Sequence, residues 1–153
     1  MEDTSFSKEF TVVHGAFYDA FEPWRKSLAH SPIQSGVYTL KSPIPVCRAL
    51  EKDDEGVLYI GKGVILSPFH RLGNLINALN NTDSRHEAGV RYNKLRMAND
   101  QGTTPQPDYI SKYPLNTLIL RIEILEHPAV EEQNRLCTYL EKFGELPPLN
   151  RRL

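Results

Sequence analysis

The segment 56–63, Gly-Val-Leu-Tyr-Ile-Gly-Lys-Gly, constrains the fold of this chain more than any other stretch. Val57 to Ile60 is a run of β-branched and aromatic residues, which predicts a strand. The glycines at 61 and 63 predict a tight turn at its end, before a helical pattern that begins at Ser67. A strand that passes through glycines into a helix can bring backbone N–H groups and Lys62 close to a bound phosphate.

A second strand is predicted upstream, over residues 33–40, and it contains a tyrosine of its own. If the two strands pair as antiparallel neighbours, Tyr38 and Tyr59 can project from one small sheet. In the segment between these two strands, the prolines at 43 and 45 exclude a central strand, and the charged run 51–55 predicts a solvated loop tip. A third, central strand is predicted over residues 115–125, where apolar residues first alternate and then follow one another.

Four helices are predicted from apolar residues that recur every three or four positions, over residues 16–29, 67–79, 86–99 and 129–143. Pro23 indicates a first turn or a kink in the first of them. Gly144 is typical of a helix end, and residues 1–10 are expected to be loosely ordered. The predicted fold class is therefore mixed α/β, and more specifically α+β, with a small three-stranded, mainly antiparallel sheet flanked by helices.

Length and composition favour one soluble domain, residues 1–153. The chain is 40% hydrophobic and 24% charged, which is ordinary for a globular protein. No apolar run has the length of a membrane span, and the acidic start is unlike a signal peptide. Two cysteines, Cys47 and Cys137, do not make a disulfide framework. We therefore expect a reduced, cytoplasmic protein without a membrane partner.

The net charge of −1 argues mildly against a protein that coats nucleic acid through bulk charge, but the charges are unevenly distributed. Residues 1–60 hold nine acidic and six basic side chains. Residues 62–96 hold two acidic and six basic ones, the basic residues being Lys62, Arg71, Arg85, Arg91, Lys94 and Arg96. A solvated helix face explains such a cluster as well as a nucleic-acid contact does.

Two glutamates open the last predicted helix on different faces. Glu132 is in line with the apolar stripe that contains Leu136 and Tyr139, whereas Glu131 is in line with polar residues. A carboxylate on an inward face needs a partner, because an isolated buried charge is strongly disfavoured. A divalent cation is one such partner, and an arginine or lysine is the other.

Five elements in order resemble the GIY-YIG nuclease family. They are Gly36-Val37-Tyr38, Tyr59-Ile60-Gly61-Lys62, Arg71, Glu132 and Pro148-Leu149-Asn150. The resemblance covers residues 33–150 as the core and leaves residues 1–32, with the first helix, as an extension. The two tyrosines are 21 residues apart, a long spacing that is similar to the restriction-endonuclease branch.

The resemblance implies an endonuclease that hydrolyses phosphodiester bonds in DNA. Tyr38 would deprotonate or align the attacking water, and Tyr59 would lie at the scissile phosphate. Lys62 would lower the pKa of a phenol, because an unperturbed tyrosine, with a pKa of about 10, is a poor base near neutrality. Arg71 would neutralise charge that develops on the phosphoryl oxygens.

The resemblance also implies a cofactor and its support. Glu132 would be the sole carboxylate ligand of one Mg²⁺ or Mn²⁺ ion per site, with Glu131 as the fallback. Gly61 and Asn150 would support the site. His86 resembles a phosphate-contacting histidine of some members of the family. It can equally be a residue at the start of a helix with no catalytic role. The basic strip of Arg85, Arg91, Lys94 and Arg96 would hold the backbone of double-stranded DNA.

Several alternatives remain open at this point. The tyrosines can be ordinary residues of an amphipathic sheet. The chain can be a nucleic-acid-binding module that does not cut, or a different enzyme or interaction domain on a similar sheet. A restriction-type enzyme would read bases from loops such as 41–56 or 100–114. Cutting both strands with one site per chain would favour a homodimer, an inference from symmetry.

Overall fold

The computed structural model describes residues 6–67, 72–80, 86–92, 115–151 and 153. In this part of the chain the elements are β1 (Ser7–Thr11), α1 (His14–Ser27), β2 (Ser35–Lys41), β3 (Val46–Cys47), β4 (Lys52–Asp53), β5 (Val57–Val64), α2 (Leu72–Leu79), α3 (87–92), β6 (Ile119–Ile124) and α4 (Pro128–Phe143). A 3₁₀ turn, Leu115–Thr117, precedes β6. Among these helices none is both long and apolar enough to cross a bilayer.

Within the described ranges the main sheet has four antiparallel strands in the order β1-β6-β2-β5, and β3 pairs with β4 in a separate hairpin. The mixed α+β class is as predicted, with an additional N-terminal helix, but the sheet has one strand more than the three expected. Strands β2 and β6 are internal, so the strand predicted over 115–125 is indeed internal, although its first residues form the 3₁₀ turn. Strands β1 and β5 are the two edges.

The additional strand, β1, lies in the segment expected to be loosely ordered. Its sequence is Ser-Lys-Glu-Phe-Thr, and Phe10 is the one buried residue in it. The Phe10 ring makes edge-to-face contacts with Phe17 and Trp24 of α1, at centroid distances of 5.8 and 5.4 Å. An edge strand with a single buried side chain lacks the apolar alternation by which strands are recognised, and this explains why the prediction was wrong.

Helices cover both faces of the sheet. Consecutive residues of β2 point to opposite faces. Val37 belongs to a cluster with Leu136, Tyr139 and Phe143 of α4. Tyr38 belongs to the larger cluster, which includes side chains of α1 and α2. Residues 36–40 are all buried for this reason.

The glycines at 61 and 63 do not form the predicted turn. Strand β5 continues through them to Val64, and Gly61 and Gly63 pair with Tyr38 and Gly36 of β2. The predicted phosphate cradle of bare backbone at a strand-to-helix turn is therefore wrong. Glycine favours turns in a local sequence pattern. Here glycine is needed at position 61 for another reason, because the ring of Tyr38 on the neighbouring strand packs against it.

The connection between β2 and β5 is long, as predicted, but it is not a simple solvated loop. Within it, Asp53 is only 2% exposed, although the charged run 51–55 predicted a loop tip. Its carboxylate accepts hydrogen bonds from the backbone N–H groups of Glu55 and Val57, both at 3.0 Å, and from the Tyr139 hydroxyl at 2.8 Å. These three donors compensate the burial of its charge and fasten the hairpin to α4.

Helices α1 and α4 match their predicted positions within about two residues. Helix α1 runs through Pro23, and α4 ends at Gly144, which adopts the left-handed conformation with φ of 79°. Helix α3 covers the described start of the helix predicted over 86–99, and α2 covers the end of the one predicted over 67–79. Arg71, Arg85, Lys94, Arg96 and the predicted loop 100–114 lie outside the described residues.

Candidate active site

The two tyrosines of the main sheet project from the same face. Tyr38 pairs with Gly61 and Leu40 pairs with Tyr59, so the two phenols are diagonal neighbours on adjacent strands. Their ring centroids are 6.2 Å apart. Tyr38 is 2% exposed, whereas Tyr59 is only partly buried.

The ring of Tyr38 lies directly over Gly61. A Cβ atom at position 61 would stand 2.6 Å from two carbon atoms of this ring and 2.8 Å from its hydroxyl oxygen. Real Cβ atoms do not approach other atoms so closely. Glycine at this position therefore fixes where the Tyr38 phenol lies.

The third member of the group is His86, which is 5% exposed at the start of α3. Its Nε2 atom lies 3.3 Å from the Tyr38 hydroxyl, within hydrogen-bond distance. Its ring also makes an edge contact with Tyr59 at a centroid distance of 5.5 Å. Two phenols and one imidazole, from three separate segments, thus form one contact cluster.

Lys62 and Glu132 approach from the other face of the sheet. Lys62 pairs with Val37, whose side chain packs on α4. Its Nζ atom lies 3.8 Å from Oε1 of Glu132 in the first turns of α4. The lysine is about half exposed, and the carboxylate is 19% exposed.

The two faces meet because β5 is the edge of the sheet. A cleft of about 360 Å³ opens there, and its lining combines charged and polar groups from both sides: Tyr59, Lys62, Glu87, Glu132, Asn150 and Arg151. Tyr38 is not one of the lining residues. Its hydroxyl contacts His86, however, and the next residue, Glu87, lines the cleft.

Burial raises the pKa of Glu132 above its usual value, and the nearby charge of Lys62 opposes that rise. Among the residues that the structure describes, the carboxylate has no hydrogen-bond donor closer than Lys62, which stays at 3.8 Å. A group in this state gains from a cation, since a second positive charge would favour its ionised form. Glu132 is therefore the carboxylate best placed to take one.

The fallback ligand, Glu131, belongs to a different network. It accepts a hydrogen bond from Arg135 at 2.8 Å, and Arg135 also bonds to Glu123 of β6. Glu131 lines a second cavity, of about 540 Å³, between the β3–β4 hairpin and α4. The two adjacent glutamates therefore face different cavities, and only Glu132 shares one with Tyr59.

Asn150 fixes the C-terminal segment to the edge of β5. Its side-chain amide donates to the Ile60 carbonyl and accepts from the Ile60 N–H, both at 3.0 Å. The backbone N–H of Leu149 adds a bond of 2.8 Å to the Leu58 carbonyl. The amide thereby satisfies the backbone groups of an edge strand as a neighbouring strand would.

Arg91, which the sequence placed in a strip for binding DNA, makes structural contacts. Its guanidinium donates to the carbonyl groups of Leu149, at 2.6 Å, and Pro148, at 3.3 Å. It thus holds the same C-terminal segment as Asn150 does, from the side of α3. The other three residues of the strip lie outside the described residues.

Sequence reasoning missed two residues of the cleft, Glu87 and Arg151. They form an ion pair at 2.6 Å, and each side chain is 64% exposed. The only available signal was adjacency, since Glu87 follows His86 and Arg151 follows Asn150 in the chain. Neither residue lies in an apolar pattern or a motif that would distinguish it from an ordinary charged surface residue.

Glu132 is the residue of this cleft that could hold a metal ion. In the described part of the chain no group of three or more His, Cys, Asp or Glu residues could hold a metal ion. Magnesium commonly takes only one or two protein carboxylates and completes its shell with water and substrate oxygens. Glu132, which has only Lys62 at 3.8 Å as a cationic partner among the described residues, fits that mode of binding. Comparisons with family models, with curated proteins and with solved structures find no match to this chain.

Proposed function

We propose that the chain is a metal-dependent endonuclease that hydrolyses phosphodiester bonds in double-stranded DNA, by the one-metal mechanism of the GIY-YIG nucleases. One observation carries the proposal. Residues that are far apart in the sequence, Tyr59, Lys62 and Glu132, line one cleft beside the Tyr38–His86 contact. A phenol, an ammonium group and a carboxylate in one open cleft are suited to holding and attacking a phosphodiester.

The two phenols would have different parts. Tyr59 lines the cleft and would lie at the scissile phosphate. Tyr38 lies behind the lining of the cleft and would deprotonate or align an attacking water that reaches its oxygen: as the base it would pass its own proton to Nε2 of His86, and its oxygen would then take the proton of that water. His86 supports this assignment more directly than Lys62 does, because its Nε2 atom is within 3.3 Å of the Tyr38 hydroxyl.

On the α4 side of the cleft, Glu132 would hold the single Mg²⁺ or Mn²⁺ ion, which when bound would neutralise charge on the phosphoryl oxygens. Lys62 is half exposed and would then be released from Glu132 to contact the phosphate. Arg71 keeps the charge-neutralising role that the resemblance gives it. A second copy of the chain would be required to cut both strands at once.

The alternative is a nucleic-acid-binding module of the same fold that does not cut. One observation favours it: the cleft is balanced without a cation, because Lys62 is paired with Glu132 and Arg151 with Glu87. In such a module the carboxylates would have purely structural partners. Binding without cleavage is the property that separates the two functions.

The test is relaxation of a supercoiled plasmid with Mg²⁺ or with EDTA. We expect cleavage by the wild type only with Mg²⁺, and a loss of at least about a hundredfold in Glu132→Ala. Glu131→Ala is the matched control, since it removes the neighbouring carboxylate on the same helix, and it should keep its rate within a few-fold. Cleavage that survives both EDTA and Glu132→Ala would reject the mechanism. Tight DNA binding without cleavage in any variant would identify the module.

A further inference from the structure

The Glu87–Arg151 pair is more exposed to solvent than the Lys62–Glu132 pair of the same cleft. Both side chains are 64% exposed, while their atoms approach to 2.6 Å. By contrast, Glu132, which lines the same cleft, is only 19% exposed. Exposed ion pairs contribute little stability and weaken with salt, so a competing anion can displace the carboxylate.

The backbone of Arg151 is nevertheless held in place. The preceding residue, Asn150, is bound to Ile60 of β5 by two hydrogen bonds of 3.0 Å. Arg91 holds the carbonyl of Leu149 from the other side, at 2.6 Å. An exposed guanidinium on an anchored backbone thus lines a cleft that also contains Tyr59 and Lys62.

We infer that Arg151 is a substrate-binding residue that contacts a backbone phosphate of the bound nucleic acid, and that the Glu87 carboxylate occupies this guanidinium in the free protein. The guanidinium fork matches both carboxylate and phosphate oxygens, so one anion can replace the other in the same place. This inference rests on the proposed function, because it requires a polyanionic substrate in this cleft. It adds a phosphate contact that the resemblance does not include.

The two members of the pair should have opposite effects on binding. Removing Arg151 removes a phosphate contact, so affinity should fall by about tenfold, the lower part of the range for a charge-assisted hydrogen bond. The slope of log K against log salt concentration should decrease in magnitude by about 0.9, the value for one phosphate contact. Removing the charge of Glu87 frees the guanidinium, so affinity should rise by about threefold.

The experiment measures binding of a fluorescent 25-base-pair duplex of mixed sequence to the full chain, in EDTA, between 50 and 200 mM KCl. The variants are Arg151→Ala, Glu87→Gln and the double variant. Arg121→Ala is the matched control, because Arg121 is a partly exposed arginine in an ion pair, with Glu123, away from the cleft. Far-UV circular dichroism of each variant confirms that it is folded.

The expected result is weaker binding by Arg151→Ala than by Arg121→Ala, tighter binding by Glu87→Gln, and no tightening by Glu87→Gln when Arg151 is already alanine. Equal affinity and salt slope in Arg151→Ala and Arg121→Ala would overturn the inference. Tightening that persists in the double variant would also overturn it, since Glu87 would then act by repelling DNA directly. If the wild type cleaves plasmid through Glu132 while Arg151→Ala binds normally, only this inference fails. If the wild type neither binds nor cleaves DNA, both the proposed function and this inference are wrong.

Discussion

The Tyr38 hydroxyl and Nε2 of His86 lie 3.3 Å apart in a buried contact, although 48 residues separate them in the chain. The contact joins an internal strand of the sheet to the start of α3. A buried phenol beside an imidazole has a proton acceptor at hand, which an isolated tyrosine does not have near neutral pH. This geometry gives Tyr38 a chemical part in the proposed reaction even though its ring does not line the cleft.

Tyr38→Phe is therefore expected to lower the rate of Mg²⁺-dependent cleavage by about 10² to 10⁴, the usual range for loss of a general acid or base. DNA binding should stay within a few-fold, because the lost hydroxyl does not line the cleft. Single-turnover cleavage and duplex binding in EDTA measure the two effects separately. Tyr18→Phe is the control, since Tyr18 lies on α1 at the edge of the core. A fully active Tyr38→Phe enzyme would exclude Tyr38 as the base.

Gly61→Ala is expected to destabilise the fold by about 1–3 kcal/mol, because the new Cβ would lie 2.6 Å from the ring of Tyr38 and force it to move. Cleavage should fall as well, since the displaced phenol loses its contact with His86. Gly15→Ala is the matched control: nothing lies within 4 Å of its Cβ position, and alanine in a helix should be neutral or stabilising. Urea denaturation measures the stability of both variants, and plasmid cleavage measures their activity. A Gly61→Ala protein as stable as the wild type would show that the ring has room to shift.

The elements that the sequence predicted correctly are those whose burial is periodic. Helix α4 presents Leu136, Tyr139 and Phe143 to the sheet at helical spacing, and residues 36–40 of β2 are all buried because both faces of this strand are covered. Strand β1 has Phe10 alone to indicate its burial. Its place in the sheet depends on pairing with β6, more than 100 residues later, which no local pattern contains.

The composition of the candidate site was predictable only in part, because strand order is a non-local property. The alternation of residues puts Lys62 on the opposite face from Tyr59, so the local pattern gives no reason to expect them in one cleft, and only the family resemblance grouped them. They share it because β5 is an edge strand, around which α4 and the C-terminal segment close. The role of Arg91 was missed for a related reason: counting charges cannot reveal that a guanidinium is committed to the Leu149 carbonyl.

Asn150→Asp is expected to destabilise the protein more than Asn150→Ala. Alanine removes two hydrogen bonds to Ile60, which together contribute about 1–3 kcal/mol. Aspartate also places a carboxylate oxygen against the Ile60 carbonyl, where the amide N–H now donates. Chemical denaturation of both variants, with the exposed Asn134→Ala on α4 as control, measures the difference. If Asn150→Asp is as stable as the wild type, the amide does not act as a donor to β5.

Glu132→Gln is expected to raise the Tm at pH 7. Burial raises the pKa of Glu132, so the folded state favours the protonated carboxyl. For such a group the stabilising contribution is present at low pH and is lost as pH rises from the unfolded pKa, about 4.3, through the higher folded value. At pH 7 the charged carboxylate therefore opposes folding, and glutamine removes that charge while keeping the shape. The gain should shrink toward pH 4.

The same substitution should abolish Mg²⁺-dependent cleavage, and Mg²⁺ should raise the Tm of the wild type but not that of Glu132→Gln, because a bound ion stabilises only the state that binds it. Thermal unfolding from pH 4 to pH 8, with and without Mg²⁺, gives both measurements. Glu141→Gln, an exposed position of α4, should change neither. A Glu132→Gln protein that is less stable than the wild type at pH 7 would mean that the pair with Lys62 outweighs the desolvation of the carboxylate. Glu132 would then be a structural residue, and the case for a cation at this cleft would lose its main support.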